Sequence, residues 1–449
     1  MDQTFMKKQN IWKLVLTMSI PNVISMLVNS LYNIVDTFFV AKISEDAMTA
    51  LSLVFPIQNL ITSIAVGFGV GISASIAILL GQEKFKEANS STTLGVLLSI
   101  IHGFILTIIS ILIMPWFLGL FTDNSDVINL GVEYANIAFL FAIPVNCGIG
   151  FEKIFQAVGR MKTSMFILVA GCITNIILDP LFIFGFGAIK PMGIKGAAIA
   201  TGIGQSVVFI LYIIIYFVKP INVKISPKYL KYNKEIIKNL YSIGVPATLN
   251  MALPSLLVST LNAILAAYSQ IYVNVLGIYY KLQTFVYLPA NGIIQGIRPL
   301  VGYNYGAGEF KRVKKIYRTT LLLTVIIMTI GTLLCVFVPN KLVSLFSENN
   351  ETIAVGTKAL MIICIGFIPS AVSISSCGAL EGLGMGVPSL IISLLRFTVL
   401  IIPLAFLFSK FFGAQGVWNS FWLTEVITAA ISYLIYNKCF KSNKTIKVS

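Results

Sequence analysis

Twelve apolar stretches of roughly 20 residues or more leave this chain few architectures, because a segment of that length crosses a bilayer as a helix that satisfies its own backbone groups. They fall at 14–40, 53–80, 94–118, 131–157, 164–184 and 196–218, and again at 240–267, 274–302, 319–339, 358–380, 388–409 and 416–436. The expected fold is an all-α polytopic membrane protein, with twelve transmembrane helices in two parallel-repeat six-helix bundles. Composition points the same way: 57% of the 449 residues are hydrophobic and only 11% are charged, outside the range of soluble domains. Pro21, Pro246 and Pro289 interrupt three of the stretches and mark expected kinks or unwound turns. The first stretch is too long for a cleaved signal and lacks a small-residue cleavage site, so it reads as a retained span.

The net charge of +15 raises the question of a nucleic-acid partner, but its distribution argues against one. Lys and Arg concentrate in alternate connections: before the first span, at 84–86, 160–162, 219–238 and 311–318, and after the last span. The opposite connections hold only Lys42, Lys190, Lys195, Lys341, Lys358 and Lys410, together with the acidic stretches around Asp123/Asp126 and Glu348/Glu351. By the positive-inside rule both termini are expected in the cytoplasm. The basic residues orient the chain and meet anionic membrane lipids; no nucleic-acid partner is expected.

The two halves share one plan. At a constant offset of 225, Ser19-Ile20-Pro21 aligns with Gly244-Val245-Pro246, Gly71 with Gly296, and Gly81 with Gly306. Leu120-Phe121 aligns with Leu345-Phe346, Gly131 with Gly356, Pro144 with Pro369, Gly159 with Gly384, and Ser164 with Ser389. The offset shortens to 220 where Gly193 and Gly196 meet Gly413 and Gly416. Six spans per repeat is an even number, so both halves start on the same side and form parallel repeats suited to rocking about a pathway. The expected division is an amino-terminal lobe 1–218, a basic linker 219–239 containing Pro220 and Pro227, a carboxy-terminal lobe 240–437 and a basic tail 438–449.

Chemistry of other kinds lacks its residues. There is no GxxxxGK[ST] loop for a nucleotide, and His102 is the sole histidine, so no nucleophile–base pair or protease dyad is in view. Cys147, Cys172, Cys335, Cys364, Cys377 and Cys439 show no ligand spacing and read as small apolar fillers. No enzyme, no cofactor and no obligate protein partner is expected; secondary transport is the direct use of a duplicated bundle.

Within the spans the informative groups are ionisable ones, which are costly in the membrane. Asp36 lies about five residues before the outer end of the first span and Asp179 about five before that of the fifth, while Thr201 lies about five into the inward-running sixth, so all three sit about 7 Å from the same surface. Asn175 precedes Asp179 by one turn and shares its face, and Asn33 lies near Asp36. Carboxylate, amide and hydroxyl oxygens of this kind replace water around a small cation, so Asp36, Asn175, Asp179 and Thr201 form a candidate cation-coupling group, and a metal site if the ion is sodium. Buried hydrogen-bonding roles are the alternative for each. Two nearby carboxylates repel when both are ionised, and a bound cation or proton removes that repulsion.

Other candidates for substrate contact or gating are Asn33, Phe38, Phe151, Phe155, Gln205, Lys281, Tyr287, Arg396 and Glu425. Arg396 and Glu425 lie at mid-depth and would pair if their helices touch. Glu152 and Lys153 read as a snorkelling or surface pair at a cytoplasmic end, Glu381 as facing such an end, and His102 as structural. The 31 Phe, 17 Tyr and 4 Trp suit a wall for amphipathic organic cations as well as interfacial anchoring.

The ordered set Ile20-Pro21, Val35-Asp36-Thr37, Asn175-Ile-Ile-Leu-Asp179-Pro180, Gly196-Ala-Ala-Ile-Ala-Thr201, Pro299-Leu-Val-Gly-Tyr-Asn-Tyr-Gly306 and Gly382-Leu-Gly384 resembles the multidrug and toxic compound extrusion (MATE) transporters over essentially the whole chain. The resemblance implies export of cationic or amphipathic drugs by alternating access, coupled to inward movement of sodium ions or protons. It also implies that Asp36, Asn175, Asp179 and Thr201 occupy the amino-terminal cation site. Some relatives place further acids in the seventh and eighth spans; this chain has no Asp or Glu between Glu235 and Glu309, which disfavours such a site here. A flippase for lipid-linked oligosaccharide or lipid II, of related architecture, is the alternative reading.

Overall fold

The computed structural model describes residues 3–230 and 233–448; Lys231 of the basic linker and Ser449 of the tail lie outside them. Every span forms as a helix. In order they are Ile11–Ala41, Glu45–Gly81, Phe85–Gly119, the pair Ser125–Leu140 and Ala142–Ala157, Met161–Ile183 and Ile194–Val218. The second set is Lys234–Ala266, Gln270–Gly306, Phe310–Phe337, Asn350–Gly382, Gly386–Phe412 and Ala414–Val448. Among the described residues, nine of these are long and apolar enough to cross a membrane, and the bent fourth pair passes as a tenth. The eighth and twelfth, at 37 and 35 residues, have the length but a more polar composition. Outward faces carry large exposed apolar side chains, among them Leu112, Trp116, Phe217, Phe337 and Phe411; such a surface belongs against lipid.

The repeat extends to helix ends. Ser44 and Ser269 cap the second and eighth spans by accepting from Ala47 N and Ile271 N, and Asn124 and Asn349 cap the fourth and tenth through pairs of backbone amides. Each of these side chains satisfies amides that a helix start leaves open. Gly159 and Gly384 hold φ of 82° and 79° at the turns after the fourth and tenth spans, a region that favours glycine.

The breaks in the helices do not fall at the three prolines expected to interrupt them. Pro21, Pro246 and Pro289 all lie inside continuous helix. Interruptions come instead at Phe141, where the fourth span bends by 46°, at the 3-10 turn Cys364–Gly366 of the tenth, and at the π turn Leu395–Val399 of the eleventh. A helix tolerates a proline by giving up one hydrogen bond, whereas a change of turn type re-aims every side chain beyond it.

Two compact units emerge. One is built mainly of Ile24–Thr248; the other joins Thr4–Val23 to the chain from Leu249 onward, so both divisions fall inside helices, just past Pro21 and Pro246. Close packing explains the membership. In the first unit Gly67 and Gly71 of the second span leave no room for a Cβ against Thr248 and Leu240 of the seventh. In the second unit Gly292 and Gly296 of the eighth span do the same against Val23, Met18 and Ser19 of the first. These small-xxx-small faces are one repeat offset apart and let backbones approach as membrane helices commonly do. The segments ahead of each helix are fastened too. Lys224 N donates to Asn89 Oδ1 at 2.7 Å, and Arg312 donates to the carbonyls of Met6 and Gln9 at 3.2 and 2.8 Å. Gly71→Leu should cost about 1–3 kcal/mol by overpacking, read as a lower melting temperature of the detergent-solubilised protein; the same change at Gly277, which has open space around it, should be far milder.

Two charged groups expected at cytoplasmic helix ends prove to be buried. Lys153 is 3% exposed and does not snorkel: its Nζ donates to Glu152 Oε1 at 2.9 Å and Gln156 Oε1 at 3.1 Å. Glu381, in the last turn of its helix, is likewise 3% exposed and pairs with Arg298 at 2.6 Å. A charge this deep is retained where a partner meets it.

Candidate functional site

The site is built in the first unit from the first, fifth and sixth spans. Asp179 is fully buried and Asn175, one turn before it, is 2% exposed. Asn175 Nδ2 donates to Asp179 Oδ1 at 3.3 Å and to Thr201 Oγ1 at 3.2 Å, which ties the fifth span to the sixth. The carboxyl groups of Asp36 and Asp179 interact directly. Thus Asp36, Asp179 and Thr201, matched by depth in the sequence, meet in one cluster with Asn175, matched by helix face. Pro180 does not break the helix beside it, which runs on to Ile183.

Three oxygens in this cluster are short of donors. Asp36 Oδ1, Asn175 Oδ1 and Asp179 Oδ2 are buried and accept no hydrogen bond. A buried acceptor without a donor is expensive, and two of these belong to groups that repel each other as anions. A proton on one carboxyl, or a small cation held by the mixed oxygen set, would relieve both the repulsion and the open acceptors. Among the described residues no three His, Cys, Asp or Glu side chains gather into a metal-binding group, so amide and hydroxyl oxygens would have to complete any cation's coordination.

Sequence reasoning missed the tyrosine wall around this cluster. The hydroxyl of Tyr32 reaches Thr201, and Tyr134 lies close to both carboxylates with its hydroxyl at Gln58. Tyr32 had a usable signal, since it precedes Asp36 by one helical turn. Tyr134 had none: nothing in its own span marks its depth or face.

The remaining candidates scatter. Asn33 is exposed, and its carbonyl accepts from Thr37. Phe38 is exposed with Lys42 Nζ 4.4 Å from its ring. Phe151 and Phe155 are buried against Tyr212, and Gln205 is half-buried one turn beyond Thr201. In the second unit Lys281 is exposed and lies over Phe346, away from Tyr287, Arg396 and Glu425, which do come together. His102 bonds Tyr241 at 2.8 Å beside the ring of Phe68.

A family model, MatE, matches residues 21–181 and again 246–407. The chain belongs to the MatE family. The two matched stretches start one repeat offset apart, at Pro21 and Pro246. Among its relatives is the multidrug export protein MepA of Staphylococcus aureus strain MSSA476, 26% identical over 433 residues that cover 96% of this chain and 94% of MepA. MepA of Staphylococcus saprophyticus is similar at 26% identity and the same coverage. Among solved structures, a crystal structure of MATE in the bent conformation matches with a TM-score of 0.93 and 23% identity over 100% of both chains. An outward-facing multidrug resistance MATE transporter of the MOP superfamily matches at 0.91 and 22% identity over 98% of each. These likenesses place the MatE chain in the transporter fold of twelve helices in two bundles.

Proposed function

We propose that this MatE protein is a secondary multidrug exporter, moving cationic or amphipathic organic compounds out of the cell in exchange for sodium ions or protons. The observation that carries the reading is the donor-starved group of Asp36, Asn175 and Asp179, three buried acceptor oxygens on facing helices. The relatives, named as multidrug export proteins, support the substrate class and disfavour the lipid-linked oligosaccharide flippase. Asp36 is the coupling carboxylate, with Asp179, Asn175 and Thr201 as its partners; both termini face the cytoplasm.

The cluster works by differential binding. Without a cation, the paired carboxylates favour a positively charged substrate in their neighbourhood. A cation or proton satisfies the open oxygens, removes the negative charge and with it that attraction. A ligand shifts a conformational equilibrium only by its difference in affinity for the two states, and neutralising a buried carboxylate pair supplies such a difference. Inside-out vesicles containing the purified protein should accumulate a fluorescent organic cation when a sodium or a proton gradient is imposed, each tested separately. Uptake that ignores both gradients would refute ion-coupled export.

A further inference from the structure

The eighth span, in the second unit, turns a polar side outward. Gln270, Asn274, Gly277, Lys281 and Thr284 are spaced four and three apart, so they share one side of the helix, and all are exposed. The exposed side of the ninth span is of another kind: Leu322, Ile326, Ile330, Leu333 and Phe337, every one large and apolar. A side that meets lipid has the second composition. Amides, a hydroxyl and an ammonium within a span have that of a water-filled path, where intramembrane charges commonly mark the route of a substrate.

Lys281 is the charge on that side, and structural uses for it fail in turn. It follows Gln270, the first residue of its helix, by eleven positions, about 16 Å of rise; snorkelling serves lysines near helix ends. No ion pair among the described residues includes it, and the chain has no Asp or Glu between Glu235 and Glu309 that could meet it from the seventh or eighth span. The duplicated fold does not call for it either, because the residue one offset of 225 earlier is Pro56. What stands beside it is a ring. Lys281 Nζ lies 5.6 Å from the centre of Phe346, in the connection between the ninth and tenth spans, and Phe346 is itself 37% exposed. An uncompensated cation and an aromatic face are therefore open side by side.

We propose that Lys281 is a specificity-determining residue of the exporter, whose ammonium binds the carboxylate of zwitterionic amphipathic substrates. The proposal rests on the multidrug-export reading and names within it a substrate class that the Asp36 cluster does not account for, compounds that carry an anionic group. Hydrogen bonds from an ammonium to a carboxylate are shorter and stronger than neutral ones. Lysine suits a varied set of ligands, because it presents a point charge on a flexible stem and imposes no planar geometry. Phe346 offers an apolar face next to the charge, so the fitting ligand has an aromatic body as well as a carboxylate.

The test uses two dyes that differ only in that group: tetramethylrhodamine, a zwitterion with a free carboxylate, and its methyl ester, a cation. Binding of each to the full chain in lipid nanodiscs is followed by fluorescence anisotropy for wild type, Lys281→Met and Lys281→Arg. Lys281→Met keeps most of the stem and removes the charge. It should weaken the zwitterion about 5- to 10-fold, while the ester binds as well as before or better because a repelling charge has gone. Lys281→Arg should keep the wild-type ratio of the two affinities. A lysine with a merely structural role would shift both dyes together and leave that ratio alone. An unchanged ratio in Lys281→Met, or a wild type that binds the ester and not the zwitterion, overturns the proposal and leaves the export reading standing. Binding of neither dye by wild type overturns the proposal together with the drug-binding reading beneath it.

Discussion

Asp36→Asn should abolish ion-driven uptake of a fluorescent organic cation into inside-out vesicles while leaving the protein folded and monodisperse. Asn is nearly isosteric and keeps an acceptor oxygen, so the packing beside Tyr32 and Asp179 survives. What disappears is the charge. If sodium is the coupling ion, the site loses one of its two carboxylates; a charged hydrogen-bonding contact is worth about 1.5–3 kcal/mol, hence roughly a 10- to 100-fold loss of cation affinity. If the proton couples, Asn mimics the protonated carboxyl permanently and the site cannot cycle. Either way a gradient ceases to drive uptake, although downhill exchange of substrate can persist. Normal coupled transport by folded Asp36→Asn would sink the assignment of Asp36.

Removing Arg298 should produce the largest loss of stability. Glu381 is 3% exposed and joins three other helices: it pairs with Arg298 of the eighth span at 2.6 Å and accepts from Asn250 of the seventh and Ser389 of the eleventh, both at 3.0 Å. Arg298→Ala leaves that carboxylate buried without a counter-charge, a change that costs about 3–5 kcal/mol. Glu381→Gln should be milder, because an amide oxygen still accepts from Asn250 and Ser389 and the abandoned guanidinium is partly exposed, with 20% of its side chain accessible. Combining the two changes should recover part of the Arg298→Ala loss, since the unpaired carboxylate is then gone. Thermal melting of the three variants in detergent orders them; an Arg298→Ala protein as stable as wild type would show that the pair carries no such burden.

Depth was the readable coordinate of the candidate site. A fixed rise per residue and spans that alternate in direction are enough to put Asp36, Asp179 and Thr201 in one layer, and the folded cluster has these residues in contact. Azimuth is less legible. Asn175 and Asp179, one turn apart, necessarily share a face and do meet, but Asn33, three residues from Asp36, is exposed. Which face of a uniformly apolar helix turns inward is decided by its neighbours, because lipid and protein interior are equally apolar to a leucine. For the same reason Tyr134 was invisible, and Lys153 was expected to snorkel or to pair at a surface.

The sequence by itself determined the helical class, the twelve spans, the duplicated plan and the level of the polar layer, all of which follow from segment length, periodic composition and constant offsets along one dimension. Only the tertiary structure decided the pairing of Arg396 with Glu425, the breaks at Phe141, Cys364–Gly366 and Leu395–Val399, and the membership of Thr4–Val23 and Ile24–Thr248 in different compact units. Those features depend on which helix faces touch, and contact is a property of packing in three dimensions that no single span encodes.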